Sequence, residues 1–487
     1  KADIKPSTIS GVKFTQGNVD VSYDGGALEI RAFTLNSDDF NLEISGSAPS
    51  KDRLDLAYDI SAKSLGFHPG LIGGKDLSGS LNAKGQATGV ITKPTVTIEA
   101  DGANIEFNGQ FIAESLELSG EATLDPSNPD ANLQAAVNKL EINERAIESV
   151  EIKTQSLERG INVEINIREN ESFSYYADAA VTGLDSSERN ILIKKLKLSL
   201  EDTELKNREN ISLTIAPRKL VVQNFNLYYN DSSALANADI FYDGKVDVDV
   251  KINNLNLDDI TKAIQFKTPL QGSMTASFDM SGTMQNPQIN ARIESRGLQY
   301  KKFENDNISL NLSYLSQNMT LKLLITDNNA TVMQATGNAN INLDLTNISQ
   351  SLDSGTFNLS IDSSGIDLSP LASISEEIEE SEGMLIVNIK ASGKIKDPTA
   401  TGQISLRDAV IKTQTLGNPL EISEALLEMQ GKKAILSKLA IQSGGTANLN
   451  GELDLSTLKY NLAAELKGSG ALCPGIWMLA AKGPKHS

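Results

Sequence analysis

Ile161-Asn162-Val163-Glu164-Ile165-Asn166-Ile167 alternates apolar and polar residues without a break, and its reading decides the fold. Successive side chains of a strand point to opposite faces, so this segment has one apolar and one polar face. The same period governs Val246-Asp-Val248-Asp-Val250-Lys-Ile252, Ile308-Ser-Leu310-Asn-Leu312-Ser-Tyr314 and Met319-Thr-Leu321-Lys-Leu323. Turn residues separate these runs at Asp24-Gly25-Gly26, Asp101-Gly102, Asn108-Gly109, Asp243-Gly244, Asp327-Asn-Asn329 and Gly444-Gly445. At roughly ten to twelve residues per strand and turn, the chain is predicted to hold about 40 strands. Stacked at about 4.8 Å each, they would make a rod on the order of 150–200 Å long.

Around this alternation the repeats are spaced by a fixed rule. Gly79 is followed by Gly89 and Pro94, Gly272 by Gly282 and Pro287, and Gly383 by Gly393 and Pro398, with intervals of ten and five residues each time. Thr88, Ser281 and Ser392 precede the second glycine. This pattern predicts strand, tight turn, strand: the glycines supply unusual backbone angles, and the proline sits where a strand is only starting and needs no ladder donor. The copies begin 193 and 111 residues apart (Gly79 to Gly272, Gly272 to Gly383), which is no regular solenoid period. Upstream of two copies lie Leu255-Asn-Leu257-Asp-Asp-Ile260 and Ile366-Asp-Leu368-Ser-Pro-Leu371, with a looser version at Leu65-Gly-Phe67-His-Pro-Gly-Leu71. These read as short helical or irregular crossovers plugging the interior of the rod.

Composition excludes several classes of function. Of 487 residues, 39% are hydrophobic and 22% charged, which suits a folded chain, and length alone would suggest about three domains. Lys and Arg number 44 against 63 Asp and Glu, and the net charge of −19 repels phosphate backbones, so no nucleic-acid partner is expected. Cys473 is the single cysteine, which rules out an intramolecular disulfide. With only His68 and His486 beside it, no metal site and no cofactor are expected. No apolar run reaches the 18 or so residues of a membrane-spanning helix. The chain opens at Lys1 without Met or secretion signal, as expected of a mature or excised piece.

The segment Gly393-Lys-Ile-Lys-Asp-Pro398-Thr-Ala-Thr-Gly402-Gln-Ile404-Ser-Leu406-Arg-Asp-Ala409, followed by Gly445-Thr-Ala-Asn-Leu449-Asn-Gly451-Glu-Leu453-Asp-Leu455, resembles the AsmA-like superfamily, most closely its TamB branch. With the alternating strands and the three glycine-proline copies, the resemblance covers most of residues 1–467. It implies an all-β fold: an elongated, curled, repetitive and largely antiparallel sheet forming a U-shaped, β-taco-like rod with an apolar inner groove and a few short helices. It implies a protein of the periplasm and cell envelope of a Gram-negative bacterium, held at the inner membrane by an anchor missing from this chain. The implied work is moving phospholipid toward the outer membrane, with phospholipid acyl chains as the bound partner. A C-terminal segment of the kind that docks on an outer-membrane barrel protein is not found, so that partner is not carried over.

The groove candidates are the apolar positions of the repeat strands. They are Leu81, Ala83, Val96 and Ile98; Met274, Ala276, Phe278, Met280, Ile289 and Ile293; and Leu385, Val387, Ile389, Ile404 and Leu406. Apolar strand faces more often fill a dry core, and the sequence on its own favours that reading. The resemblance reverses it. The rival architecture is an adhesin-like β-solenoid rod with a filled core and no lipid cargo.

No catalytic residue is expected, and the chain is read as a non-enzyme. His68 lacks a nearby serine elbow or cysteine and reads as a turn histidine. Glu376, Glu377, Glu379, Glu380 and Glu382 lack the loop pattern of a calcium site and read as a solvated helix or loop. Carbohydrate chemistry would want aromatic platforms and a selected carboxylate pair, and the chain has a single Trp. Residues 1–467 are expected to form one continuous rod. Residues 468–487 lose the alternation and read as a foreign or out-of-register tail containing Ile476-Trp-Met-Leu-Ala-Ala481.

Overall fold

Gly89 pairs with Pro94, Gly282 with Pro287 and Gly393 with Pro398. Each ten-and-five spacing thus closes an antiparallel hairpin, with Ile91-Thr92, Met284-Gln285 or Ile395-Lys396 at the turn. The three hairpins are Leu77–Val90 with Lys93–Phe107, Gln271–Thr283 with Asn286–Tyr300, and Ile378–Lys394 with Asp397–Thr413. The computed structural model describes residues 1–9, 12–65, 77–125, 130–143, 145–201, 203–242, 244–263, 270–300, 303–353, 355–369, 371–375, 377–414, 418–443 and 445–467. Among them are 33 strands and three short helices. The count falls below the 40 expected because the repeat strands alone run to 13–17 residues, more than the roughly ten to twelve expected of strand and turn together.

The chain divides into two compact units, residues 1–229 and 230–487. In the first, Ala2–Ile4 pairs with Gln16–Asp24, and from there each strand is hydrogen-bonded to the next as far as Arg189–Leu200. Arg189–Leu200 is then shared by two short strands, Thr203–Lys206 and Ile211–Ala216, both of which pair with Lys219–Tyr229. In the second unit the ladder again follows chain order from Ser232–Phe241 to Tyr460–Lys467, with Thr356–Ser363 and the short Ile366–Asp367 both pairing with Ile378–Lys394. All of these ladders are antiparallel. A parallel-coiled solenoid is therefore not what the strands form, and the all-β antiparallel expectation holds.

Each repeat hairpin has a bulge that the spacing rule did not predict. Gly79, Gly272 and Gly383 have φ of 110°, 113° and 114°, and each sits where its ladder shifts register. Facing them on the partner strand, 25 residues later in every copy, are Asn104, Gly297 and Asp408, with φ of 50°, 58° and 47°. Paired left-handed residues add local twist and shift the inside-outside phase of the strand. Ile105 shows the effect: its side-chain carbons lie 3.2–3.3 Å from where a Cβ on Gly102 would be, so residues of opposite parity share one face.

Two of the expected crossovers contain helices, Leu257–Ala263 and Leu371–Ile374. Leu257 and Leu368 are buried, Leu255, Ile260 and Ile366 half-buried, and Leu371 is exposed. Leu368 packs with Ala409, Ile422, Ile441 and Ala447, so this crossover does cover part of the apolar side. The counterpart near Leu65 lies outside the described residues beyond Leu65 itself, as do His68, Glu376 and the tail 468–487. Glu379, Glu380 and Glu382 belong to the strand Ile378–Lys394 rather than to a helix or loop, with Glu379 paired to Lys412 at 2.7 Å. The register of Glu380 with Lys412 and of Glu382 with Val410 on the strand Asp397–Thr413 overrides their low strand propensity.

Candidate functional site

Residues directly opposite in an antiparallel pair share a face, with Cβ atoms about 4.5–5.5 Å apart. Following opposite partners from strand to strand therefore traces rows across a face. In the first unit one row runs Leu42, Ile60, Ala83, Ala100, Leu118, Ala135, Ile152, Ile165, Ala177, Leu196. In the second a row runs Ala234, Ile252, Ala276, Ile293, Leu310, Leu323, Ala335, Ile361, Ile389, Gly402, Met429, Ala434, Leu453, Tyr460. Neither row contains a charged residue.

Every sequence-predicted groove residue falls on this apolar face. Leu81 pairs with Ala62 and Gly102, Val96 with Ala87 and Ala122, and Ile98 with Gly85 and Gly120. In the second unit Phe278 pairs with Val250 and Ala291, Met280 with Val248 and Ile289, and Met274 with Leu255. Leu385 joins Ile366 to Leu406, and Val387 pairs with Ile404. The face is only partly covered. Of the fifteen, Val387 alone is buried, at 8% exposure, Ile293 is 37% exposed, and the rest are half-buried. A dry core would bury them fully.

Three local features close parts of the face. Leu368 and its cluster cover the region of Leu385 and Leu406. In the second, the segment from Ile341 to Leu343 is tied down by Tyr314, which is 1% exposed. Its hydroxyl donates to the Ile341 carbonyl at 3.0 Å and accepts from the Leu343 amide at 2.9 Å. The third lies at a strand end of the first unit, where Arg145 makes a two-pronged ion pair with Glu169 through Nε to Oε1 at 2.9 Å and Nη2 to Oε2 at 2.6 Å. The Tyr175 hydroxyl donates to the same carboxylate at 3.1 Å. This pairing holds the Arg145 guanidinium above its ordinary value, and burial, then the hydrogen bond to Glu169, raises the Tyr175 phenol.

Most of the face lies outside the repeat hairpins that supply the groove candidates. Leu310, Leu312, Leu321 and Leu323 were legible from their own alternation, and the register joins them to Phe278, Ala291 and Ile293. Tyr314 closes the same alternating run, but its task and that of Tyr175 are not legible, since they depend on partners distant in sequence or on a carboxylate that nothing in the pattern singles out.

Among the described residues no group of His, Cys, Asp and Glu is placed to hold a metal ion, and no helix is long and apolar enough to cross a membrane. No curated protein matches the chain. The family model described as TamB, N-terminal domain, matches residues 12–406. That span is well over half of the chain and takes in the first two repeat hairpins and most of the third. The chain therefore belongs to the TamB family of Gram-negative envelope transport and assembly proteins.

Proposed function

We propose that the apolar face holds phospholipid acyl chains and conducts phospholipid between the inner and outer membranes, supporting outer-membrane biogenesis. The observation that carries this reading is the fourteen-strand row from Ala234 to Tyr460, uncharged throughout and, apart from the buried Ala335 and Ala434, half-buried or exposed. Each buried CH₂ gains about 0.8 kcal/mol, so acyl chains find affinity without a specific contact. A row without charged or strongly polar steps has no deep well, and a lipid can pass from one strand to the next. Head groups stay in water at the strand ends, and the chain's own groups perform no chemistry. In this reading the protein works in the periplasm, anchored at the inner membrane in its full-length form. An outer-membrane barrel protein is a candidate receiver. A filled-core rod fits less well, because its facing residues would be buried rather than half-exposed.

The test is native mass spectrometry with lipid extraction on the purified chain, comparing wild type with Ile293→Glu and Ile389→Glu. Arg292→Gln, on the opposite face of the Ile293 strand, is the control. Co-purifying phospholipid that the two charged variants lose and the control keeps, with unchanged β-rich circular dichroism, supports conduction. A lipid-free wild type, or charged variants that simply unfold, overturns it.

A further inference from the structure

The face opposite the apolar rows carries two concavities of contrasting chemistry. The first unit's, of about 540 Å³, is lined by Glu99, Asp101, Glu117 and Glu151 with Lys153, and is acidic like the chain as a whole. The second unit's, of about 480 Å³, contains no carboxylate. It lies along two polar rows on five adjacent strands: Thr320, Asn338, Asn358, Ser392, Thr399 and, beside it, Lys322, Thr336, Ser360, Lys390, Thr401. In a chain of net charge −19 such a stretch is exceptional.

Lys322 and Lys390 are exposed and neither makes an ion pair with a described residue. Lys394, two positions along the strand from Ser392, is also exposed and in the same condition. Two carboxylates stand one row outside the lining: Asp362 beyond Ser360, which donates to it at 3.4 Å, and Asp397 opposite Lys394, engaged by Lys432 at 2.6 Å. Around the lysines the polar lining is hydroxyl and amide, and the intervening Leu321, Gly337, Leu359, Ala391 and Ala400 that complete it belong by register to the apolar face. Lys322 and Lys390 stand three ladder steps apart, about 14 Å at the usual strand spacing, with Thr336 and Ser360 between them.

The geometry points to a binding site on this polar face for an anionic polysaccharide, whose hydroxyls meet the Thr, Ser and Asn side chains while its carboxylate or phosphate substituents meet Lys322 and Lys390. A single phosphate cannot span the two lysines, whereas charges spaced along an extended sugar chain can. A membrane surface would not enter a concavity, and an acidic peptide would find no apolar anchor in it. No aromatic ring lines the site, so affinity rests on hydrogen bonds and charge and is sensitive to salt. The site lies opposite the lipid-conducting face and is independent of it. It would let the protein grip an anionic glycan without blocking the apolar rows.

Titration calorimetry of the whole chain with a carboxylated oligosaccharide (oligogalacturonate), a neutral one (maltohexaose) and orthophosphate tests this. Oligogalacturonate is expected to bind saturably and more weakly as salt rises. Lys322→Gln with Lys390→Gln is expected to weaken it by about tenfold or more. Lys84→Gln, an exposed lysine of the first unit paired to Glu99, leaves it unchanged. Both test lysines are exposed, so folding is not at risk. No binding by wild type, equal binding of maltohexaose, full competition by orthophosphate, or an unaffected double variant overturns the proposal. So does binding to anionic vesicles alone that the double variant loses.

Discussion

Asn104 faces Gly79 across the ladder with its carbonyl oxygen 2.5 Å from where a Cβ on Gly79 would lie, and both residues have positive φ. Gly297 meets Gly272 and Asp408 meets Gly383 in the same way, with approaches of 2.7 and 2.9 Å. Gly79→Ala is thus expected to destabilise its unit through backbone strain of about 1–3 kcal/mol, with the clash added. Gly25→Ala, at a turn with φ of 59° and open space around it, is expected to cost less. Urea-unfolding midpoints of the two variants decide the point, and equal midpoints would remove any special role for the paired bulge.

These pairs show where reading the sequence succeeds and where it stops. Leu385, Val387 and Ile389 announce their shared face because period two is a property of the strand alone. Gly383 and its fixed partners Gly393 and Pro398 are also legible, since both roles depend on residue type. The bulge partners are not. Asn, Gly and Asp share only a tolerance of left-handed backbone, and their common offset of 25 residues emerges once the hairpins are paired. The helix Ile348–Asp353 was missed because Ile348 and Leu352 are exposed and show no core-facing stripe, although Asn347, which accepts from the Gln350 amide, is a usable start signal. The openness of the face was beyond reach, because a groove and a filled core demand the same alternation.

Tyr314 supplies a second prediction. Its hydroxyl serves the Ile341 carbonyl and the Leu343 amide in a place without solvent access. Tyr314→Phe keeps the ring and strands both groups, at an expected cost of about 1–3 kcal/mol. Hydrogen exchange should report the loss first at the Leu343 amide. Unchanged protection there would mean that packing, and not the phenol, holds this segment against the apolar face.

Arg145 and Glu169 are unequal partners: the carboxylate side chain is 4% exposed and the guanidinium 55%. Removing the cation leaves the buried charge uncompensated, so Arg145→Met is expected to cost about 2–3 kcal/mol, somewhat under the full range for a buried pair because Arg145 is half in water. Arg145→Met with Glu169→Leu should recover most of that loss. A double variant as unstable as the single one would show that the pair itself, rather than the stranded carboxylate, stabilises this strand end.

Asp249 and Asp279 face each other in register on the polar side of the second unit. Partial burial first, then the hydrogen bond and charge of Asp249, raise the Asp279 carboxyl above its ordinary 3.8, while Lys251, 3.0 Å from Asp249, opposes the rise. A carboxyl with a raised folded-state value holds its proton more tightly in the fold than in the unfolded chain. Its contribution to stability is therefore most favourable below the ordinary value and is lost as pH climbs through the raised one. At neutral pH the pair works against the fold. Asp279→Asn removes that repulsion and is expected to stabilise the unit at pH 7, by no more than about 1 kcal/mol at so exposed a site. The gain should shrink as pH falls toward 3.8 and the wild-type carboxyl regains its proton. Urea midpoints of both proteins at pH 7 and pH 4 test this. A variant that is less stable at both values would mean that Asp279 is held by attraction to Lys251 and not strained by Asp249.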